Sequence, residues 1–408
     1  MTSHIVLGSG YGDEGKGLVT DYLALTHSEH KGLVIRFNGG HQAGHTVYKD
    51  NGTSHVFSSY GSGTFRGWPT YISKYCTVYP SAILNEWTSL ISENPKLYID
   101  ALCPVTTPWD IAYNRFMEEL RTHSRHGSVG VGFGATIERH TTTGYRLYAQ
   151  DLWHTGALDH RLDAIGKYYR HKIVHEHGDA AYRAYAKILD DDVSLDAASM
   201  EADARMLWSR GVSVVNEKSF LANYIYKTNI FEGAQGILLD MDHGFFPHVT
   251  RSNTTSKNAM ELIKRNGMYH PDMYYVTRAY QTRHGNGPMT NEKKPENNWI
   301  TINPNETNQT DPFQGHFRRA IMDADMLKYA IDCDKNYLLS GVANRNLVIT
   351  CLDHMPSQLC SFTSDSFMFT ETRPEVVRDT VLHGGGLFTS NCPYGSRLFS
   401  HNSKLSLA

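Results

Sequence analysis

The sequence predicts an α/β protein with a central, mostly parallel sheet, and two observations support this class. The apolar run Ile5–Leu7 leads into a glycine-rich, P-loop-like motif and then into a helical segment at 17–25, the order of a phosphate-binding strand–loop–helix unit. Further along, short apolar runs such as 33–37 and 224–231 alternate with segments of helical spacing such as 109–123. Such alternation is typical of parallel sheets, because parallel neighbours need crossover connections.

Length, composition and charge narrow the class further. The chain has 408 residues, of which 40% are hydrophobic and 20% charged, as in ordinary globular proteins. The net charge of −3 argues against a general nucleic-acid surface. No stretch approaches the roughly 18 apolar residues of a membrane span, and no basic and apolar leader precedes the first strand. We therefore expect a cytoplasmic protein, and the length alone permits two or three domains or one large α/β domain with insertions.

Two long segments interrupt the alternation. Residues from about 150 to 220 are rich in Ala, Tyr, Leu and charged side chains, which predicts a helical insertion. Residues from about 285 to 315 are polar and rich in Asn, Pro and Thr; because ordinary connections are shorter, we expect a flexible substrate loop. After this loop, the pattern predicts a helix at 322–331 and a strand at Tyr337–Leu339.

The glycine-rich loop carries the first chemical signal. Gly10, Gly15 and Lys16 have the spacing of a Walker loop, whose backbone N–H groups bind phosphates. Gly17 stands where that pattern has the Ser or Thr that binds Mg²⁺. Asp13 is the carboxylate that can replace this hydroxyl, because a carboxylate beside phosphates needs a divalent cation or a proton. The loop therefore predicts a magnesium–nucleotide site that contains an acid–base group.

The second signal is the segment Asn38–Thr46, which holds three glycines and two histidines directly after an apolar run. Glycines allow backbone to approach a ligand closely, and His45 places an imidazole within reach. A single buried histidine is more often structural than catalytic. Beside a loop that contains Asp13, the functional interpretation is favoured.

The third signal spans residues 231–244 and 249–255. Gln235 lies in a glycine-flanked loop, where its amide can contact the edge of a base. The hydroxyl-rich run that starts at Thr250 suits phosphate contacts, although a capped helix start explains Ser252–Thr255 equally well. Asp240 and Asp242 fit a bracing role as well as a chemical one.

The fourth signal is the segment from Gln314 to Arg319 at the end of the polar loop. Paired arginines before a helix suit a carboxylate or a phosphate, because a guanidinium group can donate two parallel hydrogen bonds. A solvated basic patch is the alternative interpretation.

Together, these segments resemble the adenylosuccinate synthetase family. The stretches that carry the resemblance are GDEGKG at 12–17, GGHQAGHT at 39–46, FEGAQGILLDMDHG at 231–244 and VTRSNTT at 249–255. That family joins aspartate to the 6-position of IMP through a 6-phosphoryl intermediate, using GTP and Mg²⁺. The resemblance thus implies a single α/β domain over residues 1–408. It also implies a C–N ligase that acts on a purine nucleoside monophosphate and aspartate, has no nucleic-acid or membrane partner, and forms a homodimer.

The resemblance also implies individual roles. Asp13 would take the N1 proton of the purine and bind Mg²⁺, and the carbonyl of Gly44 would be a second Mg²⁺ ligand. His45 would act as general acid, Lys16 would hold the β- and γ-phosphates, and Arg318 would bind the amino-acid carboxylate. The expected nucleotide contacts are Gly10, Gly12, Glu14, Gly15, Lys16, Gly17, Gly44 and Thr46, and the expected substrate contacts are Asn38, Gln42, Ser128, Gln235, Thr250, Gln314, Arg318 and Arg319.

The family's phosphate-binding segment is altered in this chain. The family has TTGRGIGP and a downstream arginine that reaches across the dimer. Here residues 128–135 carry Val129 and Val131 in place of a hydroxyl and an arginine, and Thr141–Thr143 stand where the second arginine is expected. Arg139 could substitute only if the loop is shifted.

The family's TKLD motif, which recognises the guanine of GTP, is matched to Ser340–Ala343. Loss of its aspartate would remove the acceptor for the guanine N1–H and N2–H₂ groups, at about 1.5–3 kcal/mol per charged hydrogen bond. We therefore expect ATP to be favoured over GTP as the donor.

Two alternatives stay open. A branch of the family found in certain bacteriophages makes the 2-amino analogue of adenylosuccinate from dGMP with ATP or dATP, and a viral chain would then act in the host cytoplasm. Asp13 favours IMP or dIMP, because a carboxylate there should crowd a 2-amino group. The second alternative is a P-loop NTPase switch, which would not need the second His/Gly segment or the Gln235 loop.

Overall fold

The structure, a computed structural model, describes residues 2–29, 32–41, 43–122, 125–222, 226–268, 270–303, 306, 315–355, 359–362, 369–393 and 398–400. The predicted substrate contacts Gln42 and Gln314 lie outside the described residues, as do residues 304–305 and 307–314 of the predicted substrate loop.

The strands of the described residues are β1 (Thr2–Gly8), β2 (Gly32–Arg36), β3 (His45–Tyr48), β4 (Ser54–Phe57), β5 (Thr70–Ile72), β6 (Leu97–Asp100), β7 (Val212–Val215), β8 (Thr228–Gly236), β9 (Pro271–Arg278), β10 (Tyr280–His284), β11 (Phe317–Asp323), β12 (Arg345–Thr350), β13 (Leu359–Phe362), β14 (Phe369–Thr372), β15 (Gly386–Thr389) and β16 (Phe399–Ser400). The helices are α1 (Lys16–Thr26), α2 (Pro80–Ser89), α3 (Pro108–Arg121), α4 (Phe133–Thr142), α5 (Thr155–His177), α6 (Asp179–Asp191), α7 (Ala197–Trp208), α8 (Glu217–Leu221), α9 (Lys257–Arg265), α10 (Ala324–Lys335) and α11 (Pro374–Leu382).

A central sheet confirms the predicted fold class. Within the described residues it has the order β16-β15-β12-β9-β1-β8-β2-β5-β6-β7, and only the edge pair β15–β16 is antiparallel. The central strand β1 lies between β8 and β9. Because its neighbours run parallel to it, the loops after β1, β2, β8, β9 and β12 all emerge at one edge, where ligands bind in open α/β sheets.

Alternation along β1 divides the core into two layers. Ile5 and Leu7 pack with residues of α9 and α10, whereas Val6 packs with residues of α1 on the other face. All three side chains are fully buried, because successive side chains of a strand point to opposite faces and helices cover both.

Helices α5–α7 lie within the segment from about 150 to 220 and together with α2–α4 cover a second part of the core around β5–β7. The predicted insertion also contains an edge strand, β7, and the short helix α8. Among the helices that the structure describes, none has the combined length and hydropathy that a membrane crossing needs.

Two smaller elements lie at the edge of the central sheet where these loops emerge. The hairpin β3–β4 follows the glycine-rich segment after β2, and β10 leaves β9 after one residue to start a four-stranded sheet in the order β10-β11-β13-β14. Both elements therefore lie where the central strands end.

Some predicted boundaries need correction. The predicted strand Tyr337–Leu339 is wrong: these residues form a turn and loop after α10, and the next strand is β12. The apolar side chains Leu338 and Leu339 pack against the core without a partner strand, a case that a three-residue apolar run cannot distinguish from a strand. The helix predicted at 322–331 begins only at Ala324, because Asp323 caps it by accepting N–H bonds from Asp325 and Met326.

Candidate active site

The loop after β1 is closed around the side chain of Glu14. One carboxylate oxygen accepts N–H bonds from Gly10 (3.0 Å) and Gly12 (2.8 Å), and the other lies 2.6 Å from Lys16 Nζ. Glu14 and Lys16 are both buried, and a Cβ on Gly236 would overlap the carboxylate. Glu14 thus shapes the loop and fixes Lys16 at the start of α1.

Gly17 is required by the close approach of His45. A Cβ on Gly17 would lie 2.9 Å from the Cβ of His45 and 3.1 Å from the Oγ of Ser62, both tighter than ordinary contacts of a Cβ atom. Helix α1 and strand β3 therefore leave no room for the Walker hydroxyl. His45 takes this position beside the loop instead.

Restoring the Walker hydroxyl at Gly17 is expected to lower both the stability of the fold and the affinity for the donor nucleotide. Gly17→Ser should destabilise the fold by about 1–3 kcal/mol through overpacking and should weaken donor-nucleotide binding, because it pushes His45 away from the loop. Urea unfolding and calorimetric binding measure the two effects. Gly144→Ser is the matched control, because a Cβ on Gly144 meets no atom within 4 Å; equal behaviour of the two variants would contradict this explanation.

A buried carboxylate orients His45. Its Nδ1 lies 2.7 Å from Oε1 of Glu232, and this oxygen also accepts a hydrogen bond from the Ser62 hydroxyl, whereas Oε2 accepts the Ser62 N–H (3.1 Å). Burial raises the pKa of Glu232, but His45, Arg36 and Ser62 outweigh this and lower it to about 2. With Glu232 ionised, Nδ1 of His45 is the donor, so Nε2 is the imidazole atom left for a substrate.

The imidazole of His45 is neutral at pH 7 in the free protein. Burial is the largest effect and lowers its pKa, and the charges of Arg36 and Lys16 lower it further; Glu232 opposes them without reversing the direction. A phosphate group placed beside Lys16 would add negative charge and raise this pKa again. His45 can therefore change its protonation state when a nucleotide binds.

Asp13 is a carboxylate at the same loop. It has a positive φ of 64°, a region that Asp and Asn tolerate better than most residues. Its Oδ2 lies 3.1 Å from Nε2 of His284, and its carbonyl accepts a hydrogen bond from Arg278. Burial raises the pKa of Asp13, but His284, Arg278 and Lys16 outweigh burial and lower it. Asp13 is therefore ionised at neutral pH.

Asp13 and Gly44 suit Mg²⁺ by donor type. Within the described parts of the chain, no group of three or more His, Cys, Asp or Glu side chains is arranged to hold a metal ion. Nucleotide-bound Mg²⁺ does not need one, because it takes one or two carboxylates and completes its shell with phosphates and water. Asp13 offers an ionised carboxylate, and the exposed Gly44, directly before His45, offers a carbonyl. Thr46 follows on β3 and is half-buried.

Asn38 joins the segment after β2 to the last residues of strand β8. Its side-chain amide accepts the N–H of Ala234 (2.8 Å) and donates to the Ala234 carbonyl (2.9 Å), so both amide atoms hold the end of β8. The adjacent Gln235 has a φ of 55°, and its Oε1 is buried with no hydrogen-bond partner among the described residues. A Cβ on Gly39 would lie 3.5 Å from this atom. Because buried acceptors are usually satisfied, Gln235 is suited to a ligand donor such as a base N–H.

Asp240 braces the loop that follows. Its carboxylate accepts N–H bonds from Thr254, Thr255 and Asp242, so its role is structural. Residues 250–255 form a loop before α9 and not a capped helix start. Thr250 is half-buried at the beginning of this loop, and its phosphate contact stays a prediction.

Arg318 and Arg319 are not arranged as a pair before a helix. Both lie on strand β11, which places adjacent side chains on opposite faces. Arg318 donates to Glu292 (2.7 Å), whereas the guanidinium of Arg319 lies 5.7 Å from the centre of the Phe317 ring. One ligand can therefore face only one of them directly, and which one contacts a substrate stays a prediction.

The altered phosphate segment is built around internal contacts. Ser128 donates to Asn114 (2.8 Å) and accepts the N–H of Gly130 (3.2 Å). Arg139 is fully buried and makes two hydrogen bonds to Asp110, at 2.9 and 2.8 Å. The suggestion that Arg139 replaces the cross-subunit arginine is therefore wrong, because its charge is neutralised inside the core.

Comparisons with known proteins agree with this geometry. The family model of adenylosuccinate synthetase matches residues 5–355. The adenylosuccinate synthetase of Alkalilimnicola ehrlichii is 33% identical over 301 residues, 72% of this chain, and that of Bordetella avium is 32% identical over 296 residues, 71% of this chain. The chain belongs to the adenylosuccinate synthetase family. The matched parts span 65% and 64% of these relatives' own lengths.

Two solved structures share the fold of this family member. Fully ligated adenylosuccinate synthetase from Plasmodium falciparum superposes with a TM-score of 0.72 at 17% identity, covering 98% of this chain and 99% of that chain. Cyanophage S-2L succinoaminodeoxyadenylate synthetase (PurZ), bound to dGMP and dATP as an energy donor, superposes with a TM-score of 0.58 at 16% identity, covering 98% and 95%. At these identities the likeness shows the fold alone.

The segment matched above to the family's TKLD motif is misplaced. Ser340–Ala343 precede β12, and Ala343 donates to the carbonyl of Pro271 at the start of β9 (3.1 Å). They therefore lie at the amino end of the parallel strands, opposite the loop. The sequence Thr350-Cys-Leu-Asp353 starts at the last residue of β12, at the same edge as the loop after β1, where the Thr350 hydroxyl donates to the Glu14 carbonyl (2.7 Å).

Sequence reasoning missed several residues of this family member's site. Glu232 stands inside the FEGAQG stretch but was not given a role, although a buried carboxylate after an apolar run is itself a signal of a partner. His284 and Arg278 contact Asp13, and Thr282 donates to the carbonyl of Gly12 (3.2 Å). These three lie on or beside β10, which no local pattern connects to a loop some 270 residues earlier.

Proposed function

We propose that this protein is a Mg²⁺-dependent C–N ligase of the adenylosuccinate synthetase type. It would phosphorylate the 6-oxo group of IMP or dIMP and then join aspartate at that carbon. The observation that carries the proposal is the placement of two different groups at one phosphate loop: the ionised carboxylate of Asp13 within the loop, and the Glu232-oriented imidazole of His45, which packs against Gly17 at the end of the loop. A nucleotide switch would use Asp13 for Mg²⁺ but would not need the oriented imidazole of His45.

The chemistry needs both groups. The 6-oxo group is a poor leaving group, so it must first gain nucleophilic character and be phosphorylated. Asp13 would take the N1 proton as general base, and His45 would stabilise charge on the transferred phosphoryl group. Lys16 and the loop N–H groups would hold the donor phosphates in line. Asp13 and the Gly44 carbonyl would hold Mg²⁺, which would neutralise phosphate charge.

The acceptor is the first point to test. Purified protein is incubated with Mg²⁺, aspartate, ATP or GTP, and each of IMP, dIMP, GMP and dGMP, and succinyl adducts are measured by mass spectrometry. A product from IMP or dIMP is expected. If only a guanine nucleotide gives a product, the function named for the cyanophage protein would be assigned to this chain instead. If no mixture gives a product, the ligase assignment is contradicted.

The position of the sequence Thr350–Asp353 indicates which nucleotide is the phosphate donor. Asp353 has an exposed side chain at the edge where the loop lies, and its neighbour Leu352 donates to the Ser390 carbonyl after β15 (3.2 Å). A carboxylate there can accept the paired N1–H and N2–H₂ donors of guanine. GTP is therefore the proposed donor, in place of the ATP preference inferred from Ser340–Ala343. Cys351 occupies the lysine position of the family motif.

Removing this carboxylate is expected to erase the donor preference. Asp353→Ala should weaken use of GTP by roughly 10–100-fold, the equivalent of one or two charged hydrogen bonds, and leave use of ATP unchanged. Donor KM values measured with a fixed acceptor provide the comparison. Asp272→Ala, at the opposite edge of the sheet, is the control. Preference of the unmodified protein for ATP would contradict the assignment of Asp353.

The assembly is proposed to be a homodimer, as the resemblance implies. Sedimentation analysis at several protein concentrations tests this directly, and a monomer throughout the assayed range would contradict it.

A further inference from the structure

A cluster of basic side chains lies between the end of α3, the loop before α4 and the loop after β8. It consists of Arg121, His126, His248 and Arg251, and we refer to it as the basic cluster. The rings of His126 and His248 are 6.0 Å apart. Burial lowers the pKa of His126, and the charges of Arg121, His248 and Arg251 lower it further against the opposing effect of Glu118. The surroundings of His126 therefore favour an anion.

Arg251 is the most accessible member of the basic cluster. Its side chain is 54% exposed and lies 3.0 Å from Oε2 of Glu138. Its stem passes over the first turn of α4, since a Cβ on Gly134 would lie 3.6 Å from the Arg251 Cδ. The other oxygen of Glu138 lies 3.6 Å from Lys172 Nζ. Arg251 can leave Glu138 without stranding a carboxylate, because Lys172 remains beside it.

The loop that carries Arg251 contacts the candidate active site on two sides: the loop after β1 and the glycine-rich segment after β2. His248 accepts a hydrogen bond from Arg283 through its carbonyl (2.9 Å), and the Arg283 guanidinium lies 4.2 Å from the ring centre of Tyr11 in the loop after β1. On the other side, Ser252 accepts the N–H of Gly39 (3.4 Å), next to Gln235. The loop that carries Arg251 is thus adjacent to Gln235, the side chain suited to a base donor.

We propose that Arg251, with His126 and His248, binds the phosphate of the acceptor nucleotide within a single chain. This rests on the proposed function, because it takes the acceptor to be a nucleoside monophosphate. Arg251 lies beside the segment 128–135, where a Cβ on Gly134 would be 3.6 Å from its Cδ, and adds a cation to a segment that has Val131 in place of an arginine. A guanidinium group suits this ligand, since it donates two hydrogen bonds to phosphate oxygens.

The test separates phosphate binding from base binding. Dissociation constants are measured by calorimetry, without donor or aspartate, for IMP against inosine and for dGMP against deoxyguanosine. Arg251→Gln is expected to weaken binding of the preferred monophosphate by roughly 10–100-fold and to leave binding of its nucleoside unchanged. Arg251→Lys should recover part of the loss, because it keeps the charge.

A second variant moves the affinity in the opposite direction. Glu138→Gln removes the carboxylate that competes for Arg251, so binding of the monophosphate should become several-fold tighter. A purely structural ion pair predicts weaker binding in both variants, and that result would overturn the proposal. Arg205→Gln is the matched control, because Arg205 is also half-exposed and pairs with a glutamate, Glu201, at 2.6 Å.

The binding assay needs no catalysis, so it distinguishes the two proposals. A wild-type protein that binds IMP through its phosphate but forms no succinyl adduct contradicts only the proposed function. A protein that binds IMP more tightly than inosine, with no change in Arg251→Gln, overturns only the role of Arg251. Binding of neither monophosphate overturns both.

Discussion

Replacing Asp13 with asparagine is expected to abolish phosphoryl transfer and to leave the fold intact. The variant keeps the size of the side chain and tolerates the positive φ of this residue, but it cannot accept a proton from the purine. A positioned general base contributes about 10²–10⁴-fold, and the same substitution removes the charge offered to Mg²⁺, so turnover should fall by at least about 10³-fold. Stopped-assay rates of adduct formation measure it. Asp13→Ala should be equally inactive and also less stable, since alanine is strained at this φ.

Asp242→Asn serves as the control for this variant. Asp242 is a half-exposed carboxylate in the loop after β8 that pairs with Asn253 and Lys257, away from the loop after β1. Near-normal turnover in Asp13→Asn would remove the general base from the mechanism and with it the proposed function.

Replacing His45 with asparagine is expected to lower turnover by roughly 10²–10⁴-fold. His45 is neutral in the free protein because burial, Arg36 and Lys16 lower its pKa, and donor phosphates should raise that pKa until Nε2 carries a proton. The rate of the wild-type protein should therefore fall as pH rises through the raised pKa in the nucleotide complex. In His45→Asn this limb of the pH profile should disappear, because asparagine does not titrate.

His55→Asn provides the matched control for His45. His55 also pairs with a buried glutamate, Glu86, at 3.4 Å and lies on the same hairpin, but the loop after β1 does not touch it among the described contacts. Comparable losses in both variants would show that the hairpin, and not the imidazole of His45, limits the reaction.

Local sequence signals were sufficient to predict the first strand–loop–helix unit. The run Ile5–Leu7 and the glycine spacing located β1, the loop and α1 to within three residues, because strand burial and phosphate-loop geometry are both encoded in neighbouring residues. The same is true of α3, whose capping box of Thr107 and Asp110 fixes its start. Strand β11 was missed because its arginines looked like a loop end.

The long-range contacts of the site could not be predicted from the sequence. His45 and Glu232 are 187 residues apart and meet only because β2 and β8 are parallel neighbours, a pairing that periodicity does not specify. The placement of Ser340–Ala343 failed for a related reason: a motif matched by composition does not show at which end of β12 it lies. Gly17 was identified as a departure from the Walker pattern, but its cause, the approach of His45, is a packing fact.

The central claim is that the 6-oxygen of the purine leaves as phosphate, and an oxygen-18 transfer experiment tests it most directly. The acceptor that gives a product is prepared with ¹⁸O at the 6-position and incubated with donor, aspartate, Mg²⁺ and protein, and the released inorganic phosphate is analysed by mass spectrometry. One ¹⁸O atom per phosphate is the predicted result. Unlabelled phosphate, formed while the adduct accumulates, would contradict the 6-phosphoryl mechanism.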